Sequence, residues 1–135
     1  MRIFLDANVL FSAAKSDGPV RRLLLELLRR GHTLVADGYV LEEARRNLAL
    51  KFPAGAQALD NLVAKLELAA LPPAHAALSA NIPLPEKDKP VLLASLSARC
   101  EVLVTGDRTH FGPLFGKRIG AVVIHSPRSL AQEIL

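Results

Sequence analysis

Asp6, Glu43, Asp88 and Asp107 are the residues whose type and placement could do chemistry together. Asp6 follows the apolar run Ile3-Phe4-Leu5, and Asp107 comes just after Val102-Leu103-Val104-Thr105. In an open parallel α/β sheet, ligands lie beyond the carboxyl ends of the strands, at the topological switch point, so aspartates at two such ends face one crevice. Glu42 and Glu43 sit in the first turns of the helix after the second strand, which begins at the same edge, and only one of the two can face inward. Asp88, with Glu86 as its competitor, opens a helix that precedes a strand, so it needs a strand or loop through Ile82–Leu84 to return it to the crevice. Any one of these acids alone is explained by a helix cap, a turn or a solvated face. Together they repel and raise each other's pKa, a cost that a cation offsets. Oxygen donors with no converging cysteine or histidine point to Mg²⁺ or Mn²⁺ over Zn²⁺. Of His32, His75, His110 and His125, none at ligand spacing, His110 is the one within reach of the site. A carboxylate-held metal suits phosphodiester hydrolysis: it screens the phosphate, acidifies a bound water and stabilises the leaving oxygen, with two ions about 3.5–4 Å apart clamping both reacting oxygens. No nucleophilic serine or cysteine is required, and the chain has no P-loop, GxGxxG or GxSxG pattern.

The elements that must position these acids follow from periodicity. Ile3–Leu5, Leu34–Ala36, Val102–Thr105 and Ala121–Ile124 are short apolar runs of the buried-strand type. Asp17-Gly18-Pro19 starts a helix whose Val20, Leu23, Leu24, Leu27 and Leu28 recur at helical spacing until Gly31. Further helices are expected over Tyr39–Ala49, Ala56–Ala70, a short stretch around His75–Ser79, and Asp88–Ala98 with Pro90 in its first turn. Ser126 and Pro127 are the N-cap and first residue of a C-terminal helix. Ile82-Pro83-Leu84-Pro85 is extended, because a residue before proline avoids the α region. Strands alternating with helices give an α/β class with a mainly parallel sheet covered on both faces.

The chain has 135 residues, enough for one domain spanning 1–135. One cysteine, Cys100, precludes an internal disulfide and suits a reducing cytoplasm. No apolar run reaches the length of a membrane span, and Asp6 interrupts the opening apolar stretch where a signal peptide would need continuity. The net charge of +4, with arginine pairs at 21–22, 29–30 and 45–46, favours a polyanionic partner through counterion release. Arg45, Arg46, Lys89 and Arg108 adjoin the acids in sequence and are the candidate phosphate contacts.

Four segments, Leu5-Asp6-Ala7-Asn8-Val9-Leu10, Val40-Leu41-Glu42-Glu43-Ala44-Arg45-Arg46, Glu86-Lys87-Asp88-Lys89-Pro90-Val91-Leu92 and Val104-Thr105-Gly106-Asp107-Arg108-Thr109-His110-Phe111, resemble the PIN-domain ribonuclease family. They are most similar to its toxin-like VapC-type members from bacteria and archaea. The resemblance spans essentially the whole chain, and the Thr-Gly-Asp-x-x-His-Phe segment is its more specific part. It implies a three-layer α/β/α sandwich around a mainly parallel sheet of four to five strands, and a Mg²⁺- or Mn²⁺-dependent endoribonuclease. It carries the metal-holding and catalytic roles onto Asp6, Glu43, Asp88 and Asp107, choosing Glu43 over Glu42 by register. Asp88 is preferred to Glu86 because it stands directly before the Pro-Val-Leu-Leu-Ala run. Asn8 and Thr105 match supporting polar positions. Where the family often has serine or threonine shortly before the second acid, this chain has Asp37-Gly38. Members often dimerise and are often silenced by a cognate antitoxin, which makes this chain a candidate toxin of a type II toxin–antitoxin pair. Two other functions compete: a catalytically silent module of the same fold that binds RNA or protein, and a phosphotransferase using Asp6 as nucleophile. The latter usually wants a second aspartate where this chain has Asn8, and a lysine at a later strand end.

Overall fold

The structure is a computed structural model that describes residues 1–73, 76–78 and 82–135. The chain runs β1 (Arg2–Leu5), α1 (Ala7–Lys15), α2 (Pro19–Arg29), β2 (Thr33–Asp37), α3 (Gly38–Lys51), α4 (Ala56–Val63), β3 (Glu67–Ala69), α5 (Lys89–Ser97), β4 (Val102–Val104), α6 (Arg108–Phe111), β5 (Arg118–Ile119), β6 (Val122–His125) and α7 (Pro127–Ile134). One sheet of order β3-β2-β1-β4-β6-β5 is parallel except at the β5–β6 edge. Consecutive strand residues point to opposite faces. Ile3, Phe4 and Leu5 are all fully buried, so helices cover β1 on both sides. The chain winds outward from β1 through β2 to β3, then returns across β1 to β4. The switch point therefore lies between β1 and β4, where Leu5 registers with Val104. Asp6 and Thr105 are the next residues on each strand.

Four segments differ from the sequence expectation or sharpen it. Residues 7–15, given no element there, form α1; Ala7, Val9, Leu10, Ala13 and Ala14 are buried at helical spacing, and α1 packs on α2, α3 and α4. The helix expected to reach Ala70 stops at Val63 and gives way to β3. There β2 would otherwise be an open edge. Glu67, Leu68 and Ala69 pair with Val35, Ala36 and Asp37, and Arg2 clasps Glu67 at 2.9 and 2.5 Å. Sheet pairing has overridden local helix propensity. The sheet gains a sixth strand from β5, joined to β6 by a hairpin whose Gly120 has φ 60°, which suits a type II′ turn. Ile82–Leu84 is a loop rather than a strand, closed by a 2.9 Å bond from Leu84 N to Ile82 O and anchored by the buried Leu84. The short helix expected around His75–Ser79 has its ends outside the described residues. Among the described residues, no helix is long and apolar enough to cross a membrane.

Candidate metal centre

A cavity of about 160 Å³ opens at the switch point, lined by Asp6, Asn8, Tyr39, Glu43, Asn47, Lys87, Asp88, Val91 and Asp107. All four acids singled out in the sequence reach it. A larger groove of about 480 Å³ shares Tyr39 as a wall but is mostly apolar, and of the four acids it holds none. The four acids are therefore gathered in the smaller cavity.

Asp6 caps α1 and is 5% exposed. Its Oδ1 accepts the Ala7 N–H at 2.7 Å, and its Oδ2 accepts the Thr105 hydroxyl at 2.8 Å and the Asn8 amide at 3.3 Å. Burial pushes its pKa up to about 6; the Thr105 and Ala7 bonds oppose that rise, while the charges of Glu43 and Asp88 add to it. Asn8 ties the two strand ends together, because its Oδ1 also accepts the Gly106 N–H at 2.7 Å. A Cβ on Gly106 would stand 3.2 Å from that oxygen, so a larger residue would push the Asn8 side chain back by a few tenths of an ångström. Thr105 Oγ1 in turn accepts the Asp107 N–H at 3.2 Å.

Glu43 rides on α3. Tyr39, Glu43 and Asn47 recur every four residues on one face, and all three line the cavity. Glu42 lies a third of a turn away, its side chain 80% exposed beside Arg46. The 39/43/47 spacing was the signal in the sequence that separates the two glutamates. Asp37, in the place of the family's serine or threonine, is buried and caps α3 by accepting the Val40 N–H at 3.1 Å. At that position this chain supplies a carboxylate cap for α3. Burial raises the Asp37 pKa against the pull of its backbone hydrogen bonds.

Asp88 stands at the N-cap of α5 without capping it, so its carboxylate is available to the cavity. Glu86 points outward, 89% exposed, and pairs with Lys89. The Asp88 loop is held from across the cavity by Tyr39, whose hydroxyl donates to the Lys87 carbonyl at 2.9 Å. Burial, and then the charges of Glu43, Asp88 and Asp6, raise the Tyr39 pKa. Asp107 caps α6, accepting the His110 N–H at 3.0 Å. That turn brings His110 Nδ1 to 2.9 Å from Asp107 Oδ2 and 2.8 Å from Asp88 Oδ2. The distances suit an ion pair, yet Nδ1 and Asp88 Oδ2 are buried with no hydrogen bond of acceptable direction. We read them as two donor atoms in close approach, not as a hydrogen-bonded pair. A histidine therefore does converge on the acids, contrary to the expectation of oxygen donors alone.

The sequence-adjacent cations scatter. Arg45 pairs with Asp60 at 2.6 Å beside a different cavity, Arg46 lies toward Glu42, and Lys89 borders the apolar groove. Arg108 is exposed directly after Asp107. The cation bordering the cavity is Lys87, which sequence reasoning passed over.

Residues 2–109 match the family model of the PIN domain. The chain belongs to the PIN domain family. No curated protein matches it. Among solved structures, this PIN domain is similar to a chain of VapBC2 from Rickettsia felis, a complex bound to a DNA fragment from its promoter. There the identity is 17%, the TM-score 0.66, and the match covers 93% of this chain and 98% of that one. A chain of VapBC-1 from nontypeable Haemophilus influenzae matches at 16% identity and TM-score 0.63, over 95% and 99% of the two chains. At such identities the likeness is one of fold.

PIN nucleases use divalent metals, and this PIN domain's site fits one. Four carboxylates meet in a small polar cavity, a buried Asp88 oxygen lacks a partner, and one donor atom each from Asp88, Asp107 and His110 fall within 4.8 Å of one another.

Proposed function

We propose that this PIN domain is a divalent-metal-dependent endoribonuclease, the toxin of a type II toxin–antitoxin pair acting in the cytoplasm. The convergence of Asp6, Glu43, Asp88 and Asp107 on one cavity at the switch point carries the reading. These four would hold Mg²⁺ or Mn²⁺, with Asn8 and Thr105 keeping Asp6 in place. The metal supplies charge neutralisation at the phosphate and a water acidified for attack. The protein's own part is positioning. Asp6, held by three hydrogen-bond donors, is a fixed point for the metal, whereas a nucleophilic aspartate would have to leave those bonds to reach phosphorus. Glu43 and Asp107 line the cavity from α3 and from the end of β4, and Lys87 on its rim and the exposed Arg108 beside Asp107 would be the phosphate contacts. RNA is chosen over DNA by the family resemblance. The VapBC neighbours support a cognate antitoxin as partner, and a second copy of the chain is the expected oligomeric partner.

The test is cleavage of labelled RNA by purified, antitoxin-free protein in Mg²⁺ or Mn²⁺, with EDTA and Asp6→Asn as controls. Metal-dependent cleavage lost in Asp6→Asn supports the reading. No cleavage of RNA with either metal overturns it.

A further inference from the structure

We propose that His110 is a nitrogen donor of this metal centre and makes it select Mn²⁺ over Mg²⁺. The proposal rests on reading the carboxylate cavity as a metal site, and goes beyond it by adding a donor of a different kind.

The geometry begins with α6. Asp107 caps the turn, and residues three apart on a helix share a face, so the Asp107 and His110 side chains project together toward Asp88. His110 Nδ1 lies 2.8 Å from one carboxylate oxygen and 2.9 Å from the other. Two ligands bound at right angles, each about 2.1 Å from an ion, stand about 3 Å apart. An imidazolium clamped between two aspartates would aim its N–H at one oxygen. Here the buried Nδ1 makes no hydrogen bond, and neither does the buried Asp88 Oδ2. Two polar atoms this close, both buried and both unsatisfied, are explained when each is a donor to a shared cation.

Selectivity follows from the donor. Mg²⁺ is a hard ion that takes oxygen ligands, whereas a first-row transition ion accepts imidazole as well as carboxylate. The other candidate ligands are all carboxylates, so His110 is the residue that separates the two ions.

The experiment uses the full chain, first stripped with EDTA, with Mn²⁺ and Mg²⁺ as the probes. Titration calorimetry gives the affinity of each ion, and electron spin-echo modulation on the Mn²⁺-loaded protein reports a directly bound nitrogen. Wild type is expected to show that nitrogen and to prefer Mn²⁺. In His110→Asn, where an oxygen stands near the Nδ1 position, and in His110→Ala, the nitrogen signal should vanish and the Mn²⁺/Mg²⁺ affinity ratio fall by about tenfold or more. Melting in EDTA checks that both variants fold. Mn²⁺ binding without nitrogen modulation, at a ratio the variants leave unchanged, overturns the role of His110 and leaves the carboxylate site standing. Wild type that binds neither ion overturns the metal centre itself.

Discussion

The charge of Asp6 opposes folding, because burial disfavours it. Its ordinary pKa is 3.8, and in the fold burial carries it to about 6. Between those values the folded chain binds more protons than the unfolded one, so stability falls as pH rises through that window. Below pH 3.8 the Asp6 penalty is absent, and above about 6 it is complete. Asp6→Asn removes the charge at the cost of one acceptor for Thr105 and Asn8. We expect the variant in EDTA at pH 7 to be more stable than wild type by about 1–2 kcal/mol, while RNA cleavage drops about a hundredfold or more. Melting curves in EDTA at pH 5 and 7 check this; a variant no more stable at pH 7 would sink the assignment of Asp6 as a stability cost. The adjacent glutamates make a second contrast. Glu43→Gln should weaken Mn²⁺ binding about tenfold, whereas Glu42→Gln, at an exposed side chain, should stay within about twofold. Calorimetry on the pair decides it, and equal losses would count against the orientation of α3.

At the scale of elements, one hydrogen bond among the described residues joins α3 to the loop before α5. The loop's other described backbone contacts are local, such as Asp88 N to Pro85 O, so the Tyr39 hydroxyl on the Lys87 carbonyl is what ties it to α3. Tyr39→Phe keeps the ring and removes the tie. We expect Mn²⁺ affinity to fall severalfold, through a less fixed Asp88, with stability changed by about 1 kcal/mol or less. An unchanged affinity would show that α5 alone places Asp88. How much of this was legible in the sequence varies with how local the cause is. The strand ends carrying Asp6 and Asp107 follow from apolar runs and the switch-point rule, and the capped C-terminal helix from Ser126-Pro127. β3 was hidden because its pairing with β2 is a tertiary event that the helix-like pattern of 56–70 does not encode. His110 was legible as the histidine within reach of the site, but its role as a converging donor was not, for a related reason. Its closeness to Asp107 is local, but its closeness to Asp88 depends on how α5 is set beside β4.

Over the whole molecule, the charge is divided. The chain carries +4 although four of its acids turn into one cavity, so the remaining surface is more basic than the total suggests. In EDTA that cavity repels phosphate while the surface attracts it. RNA binding by Asp6→Asn in EDTA should therefore be weak and fall steeply between about 50 and 200 mM salt. Affinity insensitive to salt would point to recognition by other means. A bound divalent ion would address the same imbalance from inside. An ion that binds the folded chain and not the unfolded one stabilises it by about 2.7 kcal/mol at a free concentration near one hundred times its Kd. For a chain of this length that is a rise in melting temperature of roughly 5–15 °C. Mn²⁺ should give such a rise in wild type, and much less in Asp6→Asn at the same concentration. Asp6→Asn should thus start above wild type in EDTA and fall below it in Mn²⁺. Only an acid whose charge is costly when buried and useful when coordinated produces that crossing. Thermal melts of the two proteins with and without Mn²⁺ would reveal it, and parallel curves would mean that the charge of Asp6 is not what the metal answers.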